Sequence, residues 1–272
     1  MVALYIGLGL LGLFLILFIV YLILLKPKDT ASVNEYKNVL FAHRGLHNSV
    51  RAENSLSAFA AAVEAGYGIE LDVRLSKDGE LVVFHDDTLD RVCGISGKVI
   101  DYTAEELSAF SLSGTEDGVP TFSEVLSLVD GKVPLLVEIK EDAGDSKVSS
   151  AAAKMLAEYK GKFIVESFNP LSIKNFKAHL SGVPCGILCE SYVKEKKYRK
   201  PLYYLIGAMI TNVICKPSFI AFNHRHYKSF ALRLARKLYK TPTFAWTVRS
   251  VEEERAARKH GFDSVIFENY AA

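Results

Sequence analysis

Gly68-Ile69-Glu70-Leu71-Asp72-Val73-Arg74, followed after Leu75 by Ser76-Lys77-Asp78-Gly79-Glu80 and then Leu81-Val82-Val83-Phe84-His85, decides the fold because it decides how many strands there are. Residues two apart on an extended chain share a face. Glu70 and Asp72 therefore emerge together, while Ile69, Leu71 and Val73 pack on the other side. The connection through Ser76 and Glu80 is too short for a crossover helix, and Asp78-Gly79 is a hairpin signal. With Lys77 facing Glu80 across a two-residue turn, the register places Asp72 opposite His85.

Outward from this hairpin, further strand-like runs alternate with helical patterns. The runs are Val39 to Ala42, Leu135 to Lys140, Phe163 to Phe168, Cys185 to Cys189, Phe219 to Asn223, Phe244 to Val248 and Ser264 to Phe267. That rhythm predicts a parallel sheet covered by helices. With the hairpin counted as one excess strand, eight remain, the number in a (β/α)8 barrel. Helix starts are legible as well. Asn54 precedes the one-sided apolar set Leu56, Phe59, Ala60 and Val63, and Gly66 closes it; Thr103-x-x-Glu106 and Thr121-x-x-Glu124 are capping boxes, and Ser250 precedes an acidic first turn.

Chemistry-bearing residues collect at the ends of these runs, where a parallel barrel keeps its active site. His43-Arg44 closes the first run, Glu53-Asn54 follows it, His85-Asp86 closes the hairpin, and Glu138 and Lys140 stand in Leu135-Leu136-Val137-Glu138-Ile139-Lys140. A carboxylate and an ammonium inside an apolar strand are costly unless paired or metal-bound. Glu70, Asp72 and Glu138 near one point repel one another, which a hard divalent cation relieves; all-oxygen ligation favours magnesium or calcium over zinc. A charged neighbour, Arg44 or Asp86, sets His43 and His85 apart from the remaining histidines, which read as structural or surface groups.

The chain carries 33 Lys and Arg against 31 Asp and Glu, without basic residues interleaved with aromatics along one face, so nucleic acid is not an expected partner. Its four cysteines are too sparse for a disulfide framework. Residues 3–25 hold no charge and are long enough to span the ~30 Å hydrocarbon core at ~1.5 Å per residue. No basic segment precedes them and no small-x-small cleavage site follows, so they read as a transmembrane helix rather than a signal peptide. The string Gly7-Leu8-Gly9-Leu10-Leu11-Gly12 follows no strand and is no nucleotide site. Lys26 and Lys28 follow the apolar run, which predicts a single-pass protein with its large C-terminal part in the cytoplasm. The division expected is 3–25 membrane helix, 26–38 linker and 39–272 barrel.

The ordered set His43-Arg44, Glu53-Asn54, Glu70-x-Asp72, His85-Asp86 and Glu138-x-Lys140 resembles the glycerophosphodiester phosphodiesterase family. So do Asp87-Thr88-Leu89-Asp90-Arg91, Val119-Pro120-Thr121-Phe122, Glu166-Ser167-Phe168-Asn169 and Trp246-Thr247-Val248. The resemblance implies metal ligands Glu70, Asp72 and Glu138, acid/base residues His43 and His85, phosphate contacts from Arg44 and Lys140, and a supporting pocket including Glu53, Asn54, Asn169 and Trp246. It implies hydrolysis of a glycerophosphodiester to glycerol 3-phosphate and an alcohol, with a soluble diester or a lysolipid as substrate. A non-catalytic membrane-bound phosphate or lipid binder on the same fold is the alternative, although a binder is expected to have lost part of this set. Many members carry Asn after Thr-Val and Thr-Asp after the last strand; Arg249 and Glu268-Asn269 stand there in this chain. The oligomeric state is open.

Overall fold

Among the described residues the apolar runs form nine strands: β1 Leu40–His43, β2 Gly68–Leu75, β3 Leu81–Val83, β4 Leu135–Ile139, β5 Phe163–Ser167, β6 Cys185–Cys189, β7 Phe219–Asn223, β8 Thr243–Val248 and β9 Ser264–Phe267. A computed structural model describes residues 1–142, 144–191, 201–270 and 272. The helices are α1 Val2–Leu25, α2 Leu56–Ala65, α3 Asp90–Cys93, α4 Ala104–Ser108, α5 Phe122–Val129, α6 Lys147–Glu158, α7 Pro170–His179, α8 Pro201–Gly207, α9 Asn212–Cys215, α10 Phe230–Tyr239 and α11 Val251–Lys259.

Pairing is parallel from β1 through β9, β8, β7, β6, β5 and β4 to β2, and β2 pairs with β1 to close the ring. This is the predicted eight-stranded α/β barrel. Among the described residues only β3 is an antiparallel strand, hanging on β2. Helices cover the outside, so the strands are buried almost throughout and largely apolar, apart from the charged residues of β2 and β4. The barrel lumen is filled by Phe41, Leu136, Ile164, Leu188, Phe219 and Phe244 among others. The rings of Phe219 and Phe244 stack at 4.5 Å, and Gly186 on β6 leaves them room, since a Cβ there would lie 2.3 Å from the Phe219 ring.

Two local predictions are corrected. The hairpin register pairs Arg74 with Val82 and Leu75 with Leu81, one residue away from the one expected. Lys77 does not face Glu80: Ser76 N–H bonds the Glu80 carbonyl at 2.9 Å across a three-residue loop ending in Gly79 at φ +85°. A left-handed glycine after a tight turn gives the three-residue hairpin rather than the two-residue one. The amide of Phe84, not His85, therefore bonds the Asp72 carbonyl, and β3 ends at Val83. The second correction concerns α2. Its cap is Ser55, whose hydroxyl accepts from the Ala58 amide, while Asn54 sits at φ +57° and turns its amide inward. The other termini follow the sequence: Gly66 closes α2 in the left-handed region, Thr103 and Thr121 make capping boxes, and Ser250 caps α11.

Candidate active site

Parallel pairing sets Asp72 beside Glu138 and Glu138 beside Glu166, while His43 lies beside Glu70. Asp72, Glu138 and Glu166 thus lie at one level of the barrel, with Glu70 two residues earlier on β2. Ligand oxygens of Glu70, Asp72 and Glu138 all lie within 4.8 Å of one another, and all three residues are buried. Burial and the neighbouring carboxylates Asp72 and Glu138 hold Glu70 well above the usual carboxylate range. Glu138 is pushed up to about 7, chiefly by burial. Burial acts upward on Asp72 too, but Lys140 and Arg44 outweigh it and keep Asp72 ionised.

The cations expected to meet phosphate are engaged by these acids. Lys140 Nζ lies 2.7 Å from Glu138 Oε1 and 3.1 Å from Asp72 Oδ1. Arg44 takes up φ +56°, which points its amide at Glu70 Oε2 (2.9 Å), while its guanidinium donates to Glu53 at 2.7 Å and lies 3.5 Å from Asp72. Asn54 donates to Asp72 Oδ2 at 2.9 Å. Glu53 in turn accepts two hydrogen bonds from Arg91, whose Nε donates to Asp86.

Both histidines line one cavity of about 150 Å³, together with Arg44, Glu70, Glu138, Lys140, Glu166 and Trp246. His85 arrives there from the loop beyond β3, where Arg74 donates twice to its carbonyl. Its Nδ1 donates to Asp86 Oδ1 at 2.6 Å. His43 Nδ1 donates to Glu268 Oε2 at 2.6 Å, and Glu268 also accepts from Arg249 Nε at 2.6 Å. An ionised carboxylate can only accept, so each imidazole carries its proton on Nδ1 and keeps Nε2 for exchange. Burial lowers the pKa of both rings, against the pull of Glu268 on His43 and of Asp72 and Asp86 on His85.

Among the remaining predicted pocket residues, Trp246 lines the cavity, its ring edge-on to Phe168 at 5.6 Å. Asn169 stands off it as the cap of α7, accepting from the Leu171 amide. Four residues that join the site were missed from the sequence: Glu268, Arg249, Glu166 and His47. Glu268 and Arg249 had been noted only as departures near the C-terminus, yet they pair with each other and hold His43. A charged residue directly after the last apolar strand was the available signal. Glu166 is fully buried with Oε2 unpartnered, and burial together with Glu70 raises it well above the usual range. His47, set aside as structural, lies 3.9 Å from Glu268.

Comparison with known proteins agrees with this geometry. The chain is 31% identical over 244 residues to a glycerophosphodiester phosphodiesterase of Caldanaerobacter subterraneus subsp. tengcongensis, covering 85% of this chain and 93% of the relative. It is similar to the crystal structure of a glycerophosphodiester phosphodiesterase from Thermotoga maritima, with TM-score 0.66, 28% identity, and 85% and 94% of the two chains covered. A phosphodiesterase of Oleispira antarctica, solved with sn-glycerol-3-phosphate, shares the fold at TM-score 0.71 and 20% identity, over 86% of this chain and 94% of that one. With the profile of the glycerophosphoryl diester phosphodiesterase family matching residues 43–272, the length of the barrel from its first histidine onward, this chain belongs to that family.

Proposed function

We propose that this enzyme hydrolyses glycerophosphodiesters to glycerol 3-phosphate and an alcohol, with magnesium or calcium held by Glu70, Asp72 and Glu138. The observation that carries the reading is that three buried carboxylates converge beside two imidazoles, each oriented by its own acid, around one cavity. The donor set suits a hard cation: it is all oxygen, and burial, with the neighbouring carboxylates adding to it, holds Glu70 and Glu138 above their ordinary range. When bound, such a cation supplies positive charge for the non-bridging phosphate oxygens. Arg44 and Lys140, already anchored on Glu53, Asp72 and Glu138, add fixed positive charge where the phosphate gains negative charge. One imidazole takes a proton at Nε2 from the nucleophile, which is water or a neighbouring substrate hydroxyl, and the other gives one to the departing alkoxide. Glu268 and Asp86 hold the two rings through this exchange.

The N-terminal helix supports a membrane-anchored form of the enzyme. From Val2 to Leu17 every Val, Leu, Ile, Phe and Tyr side chain is at least 49% exposed, which suits lipid rather than water. Lys26, Lys28 and Lys37 after it favour a cytoplasmic barrel.

The test is glycerol 3-phosphate release by the full chain before and after exhaustive chelation. Activity should vanish, return with magnesium or calcium, and fall by at least ~10²-fold in a folded Glu70→Gln variant. Full turnover after chelation removes the cation from the reading, and a folded, metal-supplied enzyme inert on every glycerophosphodiester removes the activity.

A further inference from the structure

Among the described residues, the membrane helix meets the barrel at its last turns and on one side. Tyr21 donates to the Ala208 carbonyl (3.2 Å), Tyr239 to the Leu22 carbonyl (2.8 Å) and Asn212 to the Leu25 carbonyl (3.3 Å), and the Lys28 amide bonds Pro217. Ala208, Asn212 and Pro217 lie on the approach to β7, and Tyr239 ends α10 on the approach to β8. All belong to the N-terminal ends of the strands, the base of the barrel. The chain then turns across that base, where Val33 and Tyr36 are buried against the lumen cluster and Tyr36 donates to the carbonyl of Phe163, the first residue of β5. The cavity with His43, His85 and Trp246 opens at the opposite ends.

Because the apolar side chains from Val2 to Leu17 are exposed, α1 does not run up the side of the barrel. Its free part, Val2 to Val20, measures ~28 Å at ~1.5 Å per residue, close to the ~30 Å hydrocarbon core. Tyr21 is then at the interface, and the base of the barrel comes with it. The base is made for that place. Val213 and Ile214 on α9, Tyr204 and Leu205 on α8 and Leu238 on α10 are 38–48% exposed apolar side chains on the same elements that grip α1. Beside them a groove of about 390 Å³ is bordered by Lys28, Lys174 and Lys216. Apolar side chains rimmed by lysines, continuous with a membrane helix, complement a bilayer surface with anionic headgroups.

We infer that the base of the barrel rests in the headgroup layer of the bilayer holding α1, so that the active-site mouth faces away from it and draws soluble, deacylated glycerophosphodiesters from water rather than lysophospholipids from that bilayer. The inference rests on the membrane-span and phosphodiesterase readings above. The mouth is separated from the base by at least the length of a strand such as β7, on the order of 15 Å at ~3.3 Å per residue. A lysolipid would have to lift its acyl chain out of the apolar layer to reach it.

Trp246, the chain's single tryptophan, lines the mouth and reports on it. The full chain is placed in nanodiscs containing phosphatidylglycerol and lipids brominated near the headgroup end of their acyl chains. Trp246 emission should be unchanged by the bromines, whereas Ile214→Trp in a Trp246→Phe background, with Val213→Trp as a second reporter, should be quenched at least twofold. In the same discs the native chain should hydrolyse glycerophosphoethanolamine at least tenfold faster than lysophosphatidylethanolamine embedded beside it. Quenching of Trp246 but not of the reporters, or equal or faster turnover of the embedded lysolipid, overturns the inference. A chain that fails to join the discs overturns it together with the span. A disc-bound chain inert on both substrates, with the quenching pattern intact, overturns the phosphodiesterase reading and leaves the seating supported.

Discussion

His43 and His85 reach the same cavity from strands of opposite direction, and each gives its Nδ1 proton to an acid that sequence order does not mark as equivalent: Glu268 lies after β9, Asp86 next door to its histidine. Burial acts upward on Glu268, but the hydrogen bond from His43 and the nearby Arg249 prevail and keep it well below the ordinary range, so it stays an anion beside His43. The sign of its effect follows. Glu268 raises the His43 pKa against burial, so Glu268→Gln should lower it further. The limb of the pH–rate profile that belongs to His43 should move to lower pH in Glu268→Gln, and the limb that belongs to His85 should do so in Asp86→Asn. Measuring both profiles assigns acid and base: the histidine on the alkaline limb is the acid. His43→Ala and His85→Ala should each lower the rate by at least ~10²-fold. Coincident profiles for native enzyme and Glu268→Gln would show that Glu268 does not tune His43.

At the scale of elements, the site is tied together by a helix of one turn. Arg91 on α3 donates to Asp86 from the loop after β3 and twice to Glu53 from the loop before α2, and Glu53 is also held by Arg44. Burial acts to raise both acids, but these cations bring Glu53 and Asp86 down to about 2. Carboxyls with depressed folded-state pKa values bind fewer protons folded than unfolded, so their stabilisation is full above the unfolded value of ~4 and is lost as pH falls towards 2. Melting temperature should therefore drop between pH 5 and pH 2, and the drop should be smaller in Arg91→Gln, which starts less stable at neutral pH. An unchanged slope in that variant would mean that other acids dominate. The hairpin beside this clamp shows why register needs the turn: Asp78-Gly79 marked a reversal, but only the left-handed Gly79 and the Ser76–Glu80 bond settle a three-residue loop.

For the whole molecule, pairing of β1 with β9 brings residues from both ends of the chain to one mouth, and the one long apolar helix among the described residues sits at the other end. We propose that the lysines after that helix keep the barrel inside the cell. Protease added to intact cells should then spare the barrel and digest it only after the membrane is opened. Digestion in intact cells would reverse the orientation without altering the site.

The local pattern by itself determined the strand succession, the helix caps at Thr103, Thr121 and Ser250 and the excess hairpin, and it singled out Glu70, Asp72, Glu138, His43 and His85 as candidates, because periodicity, turn residues and buried charge all act over a few residues. Tertiary structure decided the rest. Asn54 looked like a helix cap, yet a one-residue shift of the cap to Ser55 frees its amide for Asp72. Asn169 looked like a pocket residue and is spent on capping α7. Glu268 and Arg249 showed locally only that a charge follows an apolar strand, not what it meets. They meet His43 only because the ring closes β9 against β1, and a hydrogen bond between residues 225 apart is fixed by the closed sheet rather than by any neighbour in the chain.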